Sequence, residues 1–294
     1  MRFQWVLPLI LFGCDSDPAA SATPVPASCD DDCLVEGVQT FQVGPDSREL
    51  HVFLPEQPVG APVLFVWHHL GGSPAELLEW MPLDDATDAG FIVVAPASRG
   101  LFGTEWELAQ APAANPDVKL FDAVLDALIE QVDAEPHAYV AGFSAGGLFS
   151  TFLTLHRSER LAGAAPFSGG SPAASYVSPS DDIPVMLSWG GASDTMVGFD
   201  FDDATRYAAD ALVADGHLVL TCDHGLGHWL PADAASRTIA WFSGIEDGQA
   251  PDFTGCVRHQ PRSERAPQGH QHAQHQRQPD HVEHQPDPED LGDG

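Results

Sequence analysis

The chain has 294 residues, of which 44% are hydrophobic and 19% are charged, as expected for one large α/β domain or two small ones. Its 43 acidic residues outnumber 12 basic ones and give a formal charge of −31, a field that repels a phosphate backbone and excludes a nucleic-acid partner. Beyond the N-terminus no apolar run reaches the roughly 18 residues of a membrane-spanning helix, and normal apolar content with scattered Gly and Pro excludes collagen-like, coiled-coil and fully disordered chains.

Residues 1–13 are predicted to be a signal peptide of the lipoprotein type. Arg2 precedes an apolar run from Trp5 to Phe12, which is too short to span a membrane as a mature helix. The segment Leu11-Phe12-Gly13-Cys14 resembles the lipobox of bacterial lipoproteins, in which the cysteine is lipidated. We therefore expect an extracytoplasmic protein whose only membrane contact is a lipid on Cys14. Plain secretion and a misassigned start are the alternatives.

An extended tether rich in Ser, Ala and Pro is predicted over residues 14–36. It ends with Cys29 and Cys33 in the sequence CDDDC, and Cys222 and Cys256 follow later in the chain. An even number of cysteines outside the cytoplasm favours disulfides, for which three connectivities exist. We favour Cys29–Cys33 and Cys222–Cys256. A metal site at CDDDC is the alternative, but no histidine stands near it, and no metal is predicted.

The composition changes abruptly at residues 257–294, which hold six of the 14 histidines, many glutamines and few apolar residues. Such a segment cannot bury enough apolar surface to fold alone. It is predicted to be a disordered His/Gln-rich tail. Weak metal chelation by its histidines and translation past a frameshift are the other interpretations.

Residues 37–248 alternate strand and helix patterns. Runs such as Pro62–His68 are apolar throughout, as in strands buried on both faces, and Asp117–Val132 repeats apolar residues at helical spacing. This alternation predicts an α/β domain with a mostly parallel central sheet and helices on both faces. Strands are predicted at Val38–Val43, Leu50–Leu54, Pro62–His68, Phe91–Ala95, Ala138–Phe143, Leu161–Phe167, Val185–Trp189 and Leu218–Cys222, and helices at Ser73–Trp80, Asp117–Val132, Gly147–His156, Ala204–Ala214 and Ala232–Phe242.

The clearest motif is G-x-S-x-G at Gly142–Gly146, between a predicted strand and a predicted helix. This is the context in which the motif forms a sharp turn that exposes a nucleophilic serine, and it predicts that role for Ser144. A second loop, His68–Ser73, follows the strand Pro62–His68 where an oxyanion-hole amide belongs. The backbone N–H groups of Leu70 and Ala145 are the candidate donors.

Two further loops supply an acid and a base. Asp194 follows the strand Val185–Trp189, and His228 follows Leu218–Cys222, so the order along the chain is Ser, Asp, His, as in α/β-hydrolases. His224 is the rival base. The rival acids are predicted instead to form the first turn of a helix, where they complement its dipole. They are Asp200, Asp202 and Asp203.

With these motifs in place, the chain from about Val38 to Phe242 resembles the α/β-hydrolase branch of extracellular polyhydroxybutyrate depolymerases, feruloyl esterases and acetyl xylan esterases. The resemblance lies in LFVWHHLGGSP, in DVKLFDAVLDALIEQVDAEPHAYVAGFSAGG with the following FSGG, in WGGASDTMV and in GLGHWLP. The family's nucleophile, acid and base fall on Ser144, Asp194 and His228. The departures are His69, where glycine is usual, and a shorter aromatic loop around Trp106.

The resemblance implies an α/β-hydrolase fold and an extracytoplasmic serine esterase that forms an acyl-enzyme, without a cofactor, on polyhydroxyalkanoate or on carbohydrate and feruloyl esters. Trp106, Trp229 and His69 are the predicted substrate contacts; for the two tryptophans, hydrophobic packing is the alternative. A non-catalytic surface lipoprotein that uses the fold for binding, or a serine peptidase, is the competing function.

Overall fold

A computed structural model describes residues 33–99 and 106–259. Its strands are β1 Gly37–Val43, β2 Asp46–Phe53, β3 Val63–Trp67, β4 Ile92–Pro96, β5 Ala138–Phe143, β6 Leu161–Phe167, β7 Val185–Trp189, β8 Thr195–Met196, β9 Phe199–Asp200, β10 Val219–Asp223 and β11 Cys256–His259. Its helices are α1 Pro74–Trp80, α2 Asp84–Asp88, α3 Pro116–Val132, α4 Ala145–His156, α5 Phe201–Asp215 and α6 Ala234–Glu246.

The predicted central sheet is confirmed. It has nine strands in the order β1-β2-β4-β3-β5-β6-β7-β10-β11. The six strands from β4 to β10 in this order pair in parallel, whereas β1, β2 and β11 pair antiparallel at the edges. Every residue of β3, β4, β5 and β7 is buried, as expected for parallel strands covered on both faces.

Two apolar cores lie on opposite faces of this sheet, which confirms helices on both sides. One core joins the sheet to α3, α4 and α5 through residues such as Phe121, Phe149 and Leu212. The other joins it to α1, α2 and α6 through residues such as Leu77 and Trp241. The sheet is therefore the rigid middle layer, and the loops at its carboxyl edge are held from both sides.

Helices α1 and α5 each begin directly after a residue whose side chain caps their N-terminus. Ser73 accepts a hydrogen bond from the Glu76 amide, with Pro74 in the first turn of α1. Asp200 caps α5, and two further aspartates stand in its first turn, so the prediction that these carboxylates complement a helix dipole is confirmed. The helix starts at Phe201, earlier than its apolar spacing indicated, because this acidic turn carries no hydrophobic period.

The structure differs from prediction at the C-terminal end of the domain. The sheet gains β11, beyond the predicted domain end at 248, and this strand takes the first residues of the predicted tail, 257–259. The reason is tertiary: β11 pairs along the open edge of β10 with Cys256 opposite Cys222, and these two cysteines form the predicted disulfide. The short helix α2 was not predicted, because a single turn rich in Asp has no apolar repeat.

Several predictions concern residues outside the described ranges. The signal peptide 1–13, Cys14, Cys29 and the tail from 260 onward lie there, so lipidation, the Cys29–Cys33 pair and disorder of the tail stay predictions. Within the described ranges, no helix is long and apolar enough to cross a membrane. The same part of the chain contains no cluster of His, Cys, Asp and Glu suited to a metal ion.

Removing the disulfide should destabilise the domain. The Cys222→Ala/Cys256→Ala variant loses a link between residues 34 positions apart, which increases the conformational entropy of the unfolded chain and is expected to lower the free energy of unfolding by about 4 kcal/mol. Chemical denaturation of the variant and the parent measures this. Peptide mapping under non-reducing conditions is the companion experiment, and free thiols at both positions of the native protein would contradict the pairing.

Candidate active site

Ser144 stands at a sharp turn between β5 and α4. Its backbone has φ 57° and ψ −117°, a left-handed conformation that a serine adopts only under constraint from its surroundings. Its amide donates to the carbonyl of Phe167 at the end of β6, at 3.0 Å. The turn places the hydroxyl at the amino end of α4, where unpaired N–H groups favour negative charge.

The flanking glycines are required by contact. A Cβ atom on Gly146 would stand 1.9 Å from the carbonyl oxygen of Trp67 at the end of β3. On Gly147 it would stand 2.3 Å from the carbonyl oxygen of Phe167, and on Gly142 it would stand 2.6 Å from the backbone of Gly146. The glycines of the motif therefore allow the turn between β5 and α4 to pack in backbone contact with the ends of β3 and β6.

His228 reaches this serine. Its Nε2 lies 2.8 Å from Ser144 Oγ, and its Nδ1 lies 2.6 Å from Asp194 Oδ1. With the neutral ring protonated on Nδ1, His228 donates to the carboxylate and accepts from the serine hydroxyl. Phe143 and Phe201 pack against the ring, with centroids at 5.1 and 4.4 Å. The three residues that the chain order singled out are thus joined by hydrogen bonds.

Asp194 is fully buried, and each of its oxygens has a donor. Oδ2 accepts from Ser168 Oγ at 2.7 Å and from the Gly190 amide at 2.8 Å. Although burial works to raise the pKa of Asp194, the hydrogen bonds from His228, Gly190 and Ser168 hold that pKa below its ordinary value. The carboxylate is therefore ionised at neutral pH. Sequence reasoning missed Ser168, although the FSGG segment after β6 marked its position.

The rival base His224 makes no contact with Ser144. Its Nδ1 accepts from the Leu226 amide at 3.3 Å, and burial lowers the pKa of its ring. The loop that carries both histidines is tied to the end of β7 by a bond from the Gly227 amide to the Gly190 carbonyl at 3.0 Å. A Cβ atom on Gly190 would stand 1.8 Å from the Gly227 carbonyl, so this contact depends on glycine.

The candidate oxyanion donors lie beside the nucleophile. Leu70 and Ala145 line the same cleft as Ser144, with a volume of about 310 Å³. Within the described ranges neither amide donates a hydrogen bond.

Buried His68 secures the Leu70 loop, and sequence reasoning missed this role. Its Nδ1 donates to the His69 carbonyl at 2.8 Å, its Nε2 accepts from the Ser98 amide at 3.0 Å, and its own carbonyl accepts from Trp106 Nε1 at 2.8 Å. Burial lowers the pKa of His68, which keeps this ring neutral.

The predicted substrate contacts divide into two groups. Trp106 lines the cleft, although only 4% of it is exposed. His69 and Trp229 are not among the described residues that line it: His69 stacks on Trp80 with centroids 4.4 Å apart, and Trp229 is 66% exposed on the His228 loop.

The remaining cleft wall is apolar and comes partly from the β8–β9 hairpin, which sequence reasoning missed. These wall residues are Leu108, Leu148, Met196, Val197, Phe199 and Phe201.

No protein-family model matches the chain, and no curated protein matches it. Solved structures do. The structure of sOPH aligns with a TM-score of 0.62 at 18% identity, over 79% of this chain and 97% of that one. The structure of pOPH aligns with a TM-score of 0.60 at 19% identity, over 81% and 98%. The carboxylesterase of Bacillus cereus aligns with a TM-score of 0.53 at 17% identity, over 67% and 94%.

The chain has the α/β-hydrolase fold. In an α/β-hydrolase the nucleophile stands on the turn after a central strand, and the acid and base follow on later strands. Here Ser144 follows β5, Asp194 lies beyond β7 and His228 lies beyond β10. The carboxyl ends of these parallel strands meet at one edge of the sheet, which is why three distant segments converge.

Ser168→Ala should weaken the buried carboxylate. Removing one donor raises the pKa of Asp194, so the carboxylate bonded to His228 is protonated at a higher pH, and ester turnover that depends on this pair is lost earlier as pH falls. We expect kcat to fall by roughly tenfold and the acid limb of the kcat profile to move to higher pH.

The measurement is kcat for a neutral ester across the acid range. Ser158→Ala is the matched control, since it removes a buried hydroxyl that bonds the Ser180 and Asp181 amides away from the cleft. An unmoved acid limb in Ser168→Ala would show that this hydroxyl has no influence on Asp194.

Proposed function

We propose that the protein is an extracytoplasmic serine esterase that hydrolyses carboxylic esters through an acyl-enzyme. The observation that carries the proposal is the relay from Ser144 Oγ through His228 to buried Asp194, at 2.8 and 2.6 Å, beside an apolar cleft. Nucleophile, base and orienting acid are all within hydrogen-bond distance, which is the geometry that acyl transfer needs.

Each residue has a defined step. Ser144 Oγ attacks the ester carbonyl carbon while His228 Nε2 takes its proton, and Asp194 stabilises the resulting imidazolium. The carbonyl oxygen becomes an oxyanion, which the N–H groups of Leu70 and Ala145 bind. His228 then returns the proton to the departing alcohol. Water, deprotonated by the same histidine, then attacks the acyl carbon. The bond from that carbon to Ser144 Oγ breaks, His228 returns the proton to Ser144 Oγ, and the acid is released; no cofactor takes part.

Charge and surroundings favour a neutral substrate. The formal charge of −31 repels anions at long range, and no described residue lining the cleft carries a charge. Polyhydroxyalkanoate and carbohydrate or feruloyl esters both meet this condition. The fold neighbours named above include a carboxylesterase, which is consistent with ester chemistry.

A fluorophosphonate probe separates this proposal from a non-catalytic binding protein. The probe should label the parent protein at Ser144 and leave Ser144→Ala unlabelled. A serine peptidase would also label, so hydrolysis of p-nitrophenyl esters is compared with that of matched p-nitroanilides. Preference for the anilides would contradict the esterase assignment.

Substitutions in the relay should have unequal effects. Ser144→Ala and His228→Ala should each lower kcat by roughly 10⁶, because nucleophile and base act as one unit. Asp194→Ala should lower it by about 10⁴, because this residue orients the imidazole and transfers no proton. His224→Ala is the control and should cost little. Ester turnover measures all four, and full activity in Ser144→Ala would refute the mechanism.

An oxidising location is supported by the Cys222–Cys256 disulfide, since such bonds persist outside the cytoplasm. We also propose that Cys14 carries the anchor. Cys14→Ser should then release the protein from the membrane fraction or block its maturation, because a lipid anchor holds through several acyl chains together. Fractionation followed by immunoblotting measures this. An unchanged membrane fraction would refute lipidation at Cys14.

A further inference from the structure

A groove of about 600 Å³ continues the cleft beyond Ser144. Leu108, Leu148 and Phe199 line both the cleft and this groove. The two hollows therefore share a wall, and Ser144 lines the first of them. The relay itself uses none of this second volume.

The lining of the groove is uncharged. Among its described lining residues there is no Asp, Glu, Lys or Arg, although the chain as a whole carries 43 acidic residues. Its titratable group is His156, whose pKa is lowered by burial and by the neighbouring Arg157, so that ring is neutral. Most of the remaining wall is aliphatic or aromatic, from Leu148 and Phe152 to Pro172 and Val177. A surface so free of charge in this protein fits an apolar ligand.

Helix α4 sets the direction and length of the groove. It starts directly after Ser144, and Leu148, Phe152 and Leu155 lie on one face at helical spacing. At 1.5 Å per residue, the distance along α4 from Leu148 to Leu155 is about 10 Å. A ligand chain that starts at Ser144 and follows this face can therefore extend by several carbon–carbon bonds before the groove ends.

The direction of proton transfer from His228 indicates which half of an ester, acyl or alcohol, occupies the groove. His228 returns a proton to the departing alcohol, so the alcohol must lie on the His228 side of the carbonyl carbon. None of the described residues 224–231, which form the His228 loop, lines the groove or the cleft. The groove is thus lined by other segments than the His228 loop, which favours the acyl half of the ester as its occupant.

We propose that this groove is an acyl-chain site that selects esters of uncharged, unbranched aliphatic acids of medium length. The proposal rests on the esterase function proposed above. It assigns the specificity to Leu148, Phe152, Leu155 and Val177, none of which belongs to the Ser144–His228–Asp194 relay.

The experiment uses the full-length protein and p-nitrophenyl esters from acetate through butanoate to octanoate, below their micelle concentrations. We expect kcat/KM to rise along the series by up to about fourfold for each methylene that becomes buried. Val177→Trp places a ring in the groove from an exposed loop, and it should lower the octanoate-to-acetate ratio of kcat/KM by at least roughly tenfold. Ser175→Trp, from the same wall, should act in the same direction.

Val59→Trp is the matched control, because it makes the same change at another exposed loop valine that does not line the groove. It should leave the ratio unchanged. Alkyl acetates with matched alcohol chains test the orientation, and a chain-length preference that appears there would overturn the acyl assignment. A flat acyl series, or a ratio unchanged in both groove variants, would also overturn it. Failure of the esterase function has a different signature: no ester is hydrolysed, acetate included.

Discussion

The backbone contact between Gly146 and the carbonyl oxygen of Trp67 is the constraint on which the rest of the site depends. Because a side chain at Gly146 would overlap that oxygen, α4 can approach the end of β3 this closely only with glycine there, and Ser144 adopts its left-handed conformation in the same turn. The same turn binds the ends of two strands. From the end of β3 the chain continues into the Leu70 loop, and from the end of β6 it continues to Ser168. A single close-packed turn thereby aligns Ser144, the Leu70 loop and Ser168, which supports Asp194.

Burial of Asp194 is the second requirement of the site, although burying a charged group disfavours folding. A carboxylate without solvent is costly unless donors surround it. Here His228, Ser168 and the Gly190 amide supply them, and they outweigh the desolvation that would otherwise protonate the acid. The ring of His228 is held in one orientation as a result. The neutral ring of His68 fixes the Leu70 loop in a similar way, because Nδ1 donates to the His69 carbonyl and Nε2 accepts from the Ser98 amide in the loop after β4.

The distribution of charge separates the outside of this protein from its cleft. A chain with a formal charge of −31 leaves the cleft and the adjoining groove without a charged described residue. Most of the acidic groups instead occupy caps, first turns and exposed faces, where water solvates them, whereas Asp117 and Asp194 are buried and hydrogen-bonded. An ester approaching this surface meets repulsion only if it is anionic, and once in the cleft it meets apolar walls. In the proposed function, selection by charge and selection by chain length are thus made in different places.

The sequence by itself determined the elements with local signals. Apolar runs marked the buried strands, the glycine pattern around Ser144 marked the turn, and the positions of Asp194 and His228 after later strands marked the acid and the base. Only the tertiary structure decided that Ser168 supports Asp194, that His68 locks a loop, that Trp106 rather than Trp229 lines the cleft, and that β11 closes the sheet. These outcomes depend on contacts between segments far apart in the chain. Residue type and local spacing carry no information about such contacts, because the energy of each depends on which surface the folded sheet brings against it.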